Sequence, residues 1–188
     1  MKVLKINEWM QTTAPKFVST STNDVRNNMN TPYKQTWTNG FSHIFKIYGK
    51  NPNTTFGVFV DSSGSMLPYY DDIINELSKY TSKYQMDILA FNAYDIVDIR
   101  KKPTGVAGGS MEFDKLVSAI SDNSRFDYDV NFIITDGETD ADFDKVKSEY
   151  EYLSSQNRKL VVLTSDEYLY DKLSEFIPAS ECLGLVEA

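Results

Sequence analysis

The chain has one cysteine and one histidine among 188 residues, and these two scarcities remove much metal and nucleophile chemistry at once. Cys182 has no partner for an internal disulfide, and the expected role for it is a small buried hydrophobe near the end of the domain. With His43 alone, neither a Ser-His-Asp triad within the domain nor a dedicated zinc or soft-metal site can be assembled. His43 is expected to be packed or solvated. No apolar run approaches the roughly 20 residues of a membrane span. Lys2 and Lys5 near the start have no apolar stretch behind them, so a signal peptide is not expected. Together these features lead to the expectation of a soluble, cytoplasmic protein. The phosphate-cradling patterns G-x-x-x-x-G-K-[ST] and G-x-G-x-x-G are both missing.

What is present is enough for a folded core. Hydrophobic residues make up 41% of the chain and aromatics 13%, which argues against disorder. The length suits one compact domain with some chain left over. Charge is unevenly placed: residues 1–50 hold seven Lys/Arg against two Asp/Glu, while the other 138 hold 12 against 25, a balance of −13. An acidic body disfavours nucleic acid. The basic, Ser/Thr/Asn-rich stretch reads as an arm, residues 1–54, with Trp9 and Trp37 as anchors packing it to the body. The frequency of Asn, Tyr and Lys fits an AT-rich genome such as a phage's.

From residue 55 onward, short apolar runs alternate with amphipathic stretches. Phe56–Val60, Met86–Phe91, Val130–Thr135 and Leu160–Thr164 read as strands buried on both faces. Ile96–Arg100 reads as an antiparallel edge strand, and Cys182–Val186 as a final strand. Helical spacing marks Leu67–Tyr84, the segment around Phe113–Ile120, that around Phe143–Leu153, and Leu169–Phe176. Ahead of them, Phe41–Tyr48 roughly alternates and reads as a strand. The fold class expected over residues 55–188 is α/β: a doubly wound, mostly parallel sheet flanked by helices, Rossmann-like in its broad layout.

In such sheets ligands bind at the carboxyl ends of strands, where the strand order reverses. Three polar, glycine-containing loops stand there: Asp61-Ser62-Ser63-Gly64-Ser65, Gly108-Gly109-Ser110 and Thr135-Asp136-Gly137. Two carboxylates and three hydroxyls, from Asp61, Ser63, Ser65, Ser110 and Asp136, are all hard oxygen donors. They suit Mg²⁺, which keeps several waters in an octahedral shell, with Mn²⁺ or Ca²⁺ as alternatives. Neutral hydroxyl ligands would leave the ion electrophilic, so that a carboxylate from outside becomes an attractive last ligand. Asp, with Ser, is also a favoured helix N-cap, which is the plainer explanation of the same residues. Asp71, Asp72 and the acidic stretch 136–144 read as first-turn helix charges, with Glu138 and Asp140 beside the proposed ion.

Asp61-x-Ser63-x-Ser65 resembles the D-x-S-x-S element of von Willebrand factor A (VWA) domains, the first part of their metal-ion-dependent adhesion site (MIDAS). Thr135-Asp136-Gly137 matches that family's T-D-G turn, and Gly108-Gly109-Ser110 looks like its G-G-T loop with Ser for Thr. The resemblance covers roughly residues 55–188. It implies a divalent cation on Asp61, Ser63, Ser65, Ser110 and Asp136, and a protein partner presenting an Asp or Glu. The region before residue 50 resembles that of bacterial and phage VWA-like proteins, which often work beside MoxR-type AAA+ ATPases. This implies a non-enzymatic binding module, an adaptor for such an ATPase or a phage protein acting on a host target.

Enzyme classes fit less well. A haloacid-dehalogenase-type phosphatase needs a second Asp where Ser63 stands, and an aspartic protease a Gly there. Metal-dependent phosphoester hydrolysis at the same site is the remaining catalytic alternative, lacking a second carboxylate cluster and a clear general base. A structural or virion scaffold using the fold without metal is the other alternative.

Overall fold

The computed structural model describes residues 41–42, 44–92, 95–100, 112–122, 124–137 and 140–184. Six strands form one sheet: β1 (Thr55–Asp61), β2 (Gln85–Phe91), β3 (Ile96–Asp98), β4 (Val130–Thr135), β5 (Lys159–Thr164) and β6 (Cys182–Gly184). Their order is β3-β2-β1-β4-β5-β6. All neighbouring pairs are parallel except β2 with β3, which is antiparallel at one edge. The expected doubly wound α/β class is what the chain adopts. Cys182 is 1% exposed, as expected of a buried small hydrophobe.

Period-two alternation distributes the strand side chains to two cores. Phe56, Val58 and Val60, with Ile88, Ala90, Phe132, Ile134, Val161 and Leu163, face one side. Phe59, with Leu89, Phe91, Ile133, Leu160 and Val162, faces the other. Helix α2 (Leu67–Ser78) brings Tyr70, Ile73 and Leu77 to the first side. Helices α3 (Phe113–Ser121), α4 (Phe143–Ser155) and α5 (Glu167–Leu173) cover the second. With both faces covered, the strands read as continuous apolar runs, each fully buried large side chain contributing roughly 1.5–3 kcal/mol.

Two expectations are corrected. The stretch 41–48, read as a strand, is a helix, α1, at residues 41–42 and 44–48. Phe41, Ile44, Phe45 and Tyr48 stand at i, i+3, i+4 and i+7, so the helical period puts one face on the sheet, whereas a strand would split these residues between two faces. Phe41, Ile44 and Phe45 are at most 1% exposed. The Phe45 ring lies 5.2 Å from both Phe56 and Tyr84. Gly49 closes the helix, where a Cβ would come within 2.5 Å of the Phe45 carbonyl oxygen. The second correction concerns α2, which stops at Ser78 rather than continuing to Tyr84. Tyr80 and Tyr84, which follow the helical period, pack instead from the turns after it: they stack on each other, Tyr84 stacks on Phe45, and Tyr80 meets Phe45 at a tilt.

The strand order reverses between β1 and β4. From β1 the chain moves outward to β2 and β3, then returns to the other side of β1 as β4. The carboxyl ends of β1 and β4 therefore border the crevice where loops leave the sheet in opposite directions.

Candidate metal centre

Asp61 is the last residue of β1 and is 1% exposed. Val60 pairs with Ile134, so Asp61 is level with Thr135 at the end of β4. Its Oδ1 accepts the backbone N–H of Ser63 at 2.8 Å, and its Oδ2 accepts the Thr135 hydroxyl at 2.7 Å. Burial pushes the Asp61 carboxyl above its usual range. The bonds from Ser63 and Thr135 oppose that shift, and the neighbouring Asp136 charge adds to it. No cationic side chain figures among the described groups that act on it.

After Asp61 the loop climbs from the core to the surface. Ser62 is fully buried and donates from both its N–H and its hydroxyl to the Phe91 carbonyl, each at 2.9 Å. This pins the end of β1 to the end of β2. Ser63 is buried and Ser65 exposed, with their hydroxyl oxygens 3.2 Å apart. Adjacent ligands of an octahedral ion at about 2.1 Å stand roughly 3 Å apart, so this pair is spaced as two neighbouring ligands are. Met66, buried, then begins the turn into α2.

Asp136 follows β4 and is half-buried. Gly137 has φ +86°, and a Cβ there would lie 2.4 Å from the Asp166 Cβ and 2.8 Å from the Thr164 Oγ1. The turn that presents Asp136 thus requires glycine. Gly64 differs: a Cβ added there meets nothing within 4 Å, and its φ is not in the left-handed region, so the freedom expected of it is not used.

The helix-cap explanation of these residues fails. Met66 is the N-cap of α2 and makes no side-chain cap bond, while Asp142 caps α4 and Asp166 caps α5. Asp61, Ser63, Ser65 and Asp136 cap none of them. Asp71 and Asp72 lie beyond the first turn of α2, which holds no acidic residue. In the stretch 136–144 the capping role belongs to Asp142, with Asp144 in the first turn of α4.

Of the five expected ligands, Asp61, Ser63, Ser65 and Asp136 come to one end of the sheet. Ser110 lies outside the described residues, as do Glu138, His43, Trp9 and Trp37. The donor set consists of carboxylate and hydroxyl oxygens only, and a buried carboxylate beside a second one is an arrangement that a cation would compensate. The chemistry of the residues present fits a hard divalent ion. Among the described residues, no group of three or more His, Cys, Asp and Glu side chains is placed to hold a metal ion.

Sequence reasoning missed Thr135 and Ser62 as the residues that tie the end of β1 to β4 and β2. Thr135 entered only as the frame of a T-D-G turn. The signal that could have found it is register: the last residue of β4 stands beside the last residue of β1. No family model matches the chain, and no curated protein matches it.

Proposed function

We propose that the chain is a divalent-metal-dependent protein-binding module of the VWA type, in which an ion held by Asp61, Ser63, Ser65, Ser110 and Asp136 is completed by an Asp or Glu of a partner protein. The observation that carries this reading is the meeting of the Asp61-Ser63-Ser65 loop with the Asp136 turn at the switch point. There the two serine hydroxyls are 3.2 Å apart and the Asp61 carboxylate is fixed at both oxygens. Hydroxyl ligands leave the ion's charge largely uncompensated, and an incoming carboxylate gains what water gave it. The acidic body repels anionic surfaces in general, so a carboxylate delivered straight to the ion is favoured over nonspecific contact. Candidate partners are an AAA+ ATPase of the MoxR type or, if the chain is a phage protein, a host target.

The test has two stages. Calorimetry with Mn²⁺ and Mg²⁺ is expected to show saturable binding that Asp61→Ala abolishes; equal binding by that variant sinks the proposal. Partner capture is then expected to be lost with chelator, in Ser65→Ala, and when one acidic residue of the partner becomes its amide. Metal-dependent phosphoester turnover, lost in Ser63→Ala and Asp136→Ala, would instead assign the centre to hydrolysis.

A further inference from the structure

We infer that Thr135 is a positioning residue for the ion: its hydroxyl locks the Asp61 carboxylate to the T-D-G turn, so the two halves of the centre are held in one geometry. This rests on the metal-binding reading above. Thr135 is fully buried at the end of β4. Its Oγ1 accepts the Gly137 N–H at 2.9 Å, and an amide nitrogen can only donate. The single hydroxyl proton is therefore free to go to Asp61 Oδ2, 2.7 Å away. The result is a fixed relay from the Gly137 amide through Thr135 to Asp61.

The relay has a consequence for the carboxylate. Ser63 N–H holds Oδ1 from the β1 loop, and Thr135 holds Oδ2 from β4. The Ser63 side chain also bonds to the carboxylate, so both oxygens are held by donors anchored in the sheet or its loop, while a carboxylate's several lone pairs leave capacity for an ion or an ion-bound water. Without the Thr135 hydroxyl the carboxylate is held on one side only, and the terminal torsion of an Asp side chain is intrinsically broad. The same loss frees the Gly137 amide, which sets the turn that carries Asp136. Partners of this outer kind, which orient a ligand without touching the metal, typically change metal affinity by about 10–100-fold when removed.

Thr135→Val keeps the shape and removes the hydroxyl, and Thr135→Ser keeps the hydroxyl. Calorimetric titration of the full chain with Mn²⁺ is expected to show binding weakened about 10–100-fold in Thr135→Val and within about threefold of the parent in Thr135→Ser. A role confined to stability would lower the melting temperature of Thr135→Val without changing Mn²⁺ affinity at a temperature where it is folded, and that result overturns the inference. If Thr135→Val does not fold, Thr135→Ala, which adds no methyl to the site, is read by the same criterion. Equal weakening in Thr135→Ser also overturns it, because the hydroxyl would then not be the operative group. Failure of the parent protein to bind Mn²⁺ removes the metal-binding reading itself. Parent binding with unchanged Thr135→Val removes only the role of Thr135.

Discussion

At the scale of single residues, the proposed metal centre would set stability against ligation in one side chain, Asp61. The raised Asp61 carboxyl means that its charged form is disfavoured in the folded protein, first by burial and then by Asp136. A carboxyl raised in this way contributes stability below its unfolded value and loses it as pH rises, so at neutral pH its charge is a cost. Asp61→Asn removes the charge while an amide oxygen still accepts from Ser63 and the Thr135 hydroxyl still has an oxygen for the amide to donate to. The metal-free variant is expected to melt at or above the parent, by about 2–4 °C if the relief is worth about 1 kcal/mol. Added Mg²⁺ is expected to raise the parent's melting temperature and leave that of the variant unmoved. A variant still stabilised by Mg²⁺ would show that the ion sits elsewhere. The two glycines give a paired expectation. Gly137→Ala combines φ +86° with a 2.4 Å approach to Asp166 and should cost about 2 kcal/mol or more in denaturant unfolding. Gly64→Ala meets open space and should stay within about 0.5 kcal/mol.

Elements show where legibility ended. The four buried strands were readable because a sheet covered on both faces demands unbroken apolar runs, and Val130–Thr135 was placed to the residue; the half-buried antiparallel edge strand was readable from its alternation. Asp61, Ser63, Ser65 and Asp136 could be placed at one end of the sheet for a related reason: they end or follow β1 and β4, so their position is set by the sheet. Helix α1 was ambiguous rather than unmarked: Phe41, Ile44, Phe45 and Tyr48 fit the helical spacing, but Phe41, Phe45 and Ile47 also fit a period of two, and over eight residues only packing decides. Thr135 was illegible for a different reason: its partner is 74 residues away, and only the β1–β4 register brings them together. The packing of α1 makes its own prediction. Phe45 lies against Phe56, Tyr80, Tyr84 and Phe132 and is fully buried. Phe45→Ala should therefore cost about 3–5 kcal/mol, measured as a shift of the denaturation midpoint at constant slope. A loss below about 1 kcal/mol would mean that α1 is dispensable to the core.

Taken as a whole molecule, the protein couples its aromatic content to its response to alkali. Tyr48, Tyr70 and Tyr150 are each pushed up to about 12, in every case first by burial. Nearby acidic charge adds to this: Glu181 for Tyr48 and Tyr150, the latter donating to Glu181 at 3.0 Å, and Asp71 for Tyr70. Tyr128 is raised further, half-buried over Gly57 and donating to Asp87 at 2.8 Å. These residues tie α1, α2 and α4 to the sheet and its loops, so their ionisation is not a local event. In the unfolded chain each phenol loses its proton near the ordinary value of 10, whereas the folded protein holds it to about 12. The folded state therefore binds more protons between these values, and stability falls as pH rises through them. Below pH 10 the contribution is fully present. The melting temperature is expected to be flat in this respect up to about pH 10 and to drop steeply between about 10 and 12. Tyrosinate absorbance in the native protein should rise in two stages, exposed phenols first and these four only with the loss of tertiary structure. A single transition near pH 10, with the fold intact by circular dichroism, would show that the phenols are solvated and that the packing around them is looser than described.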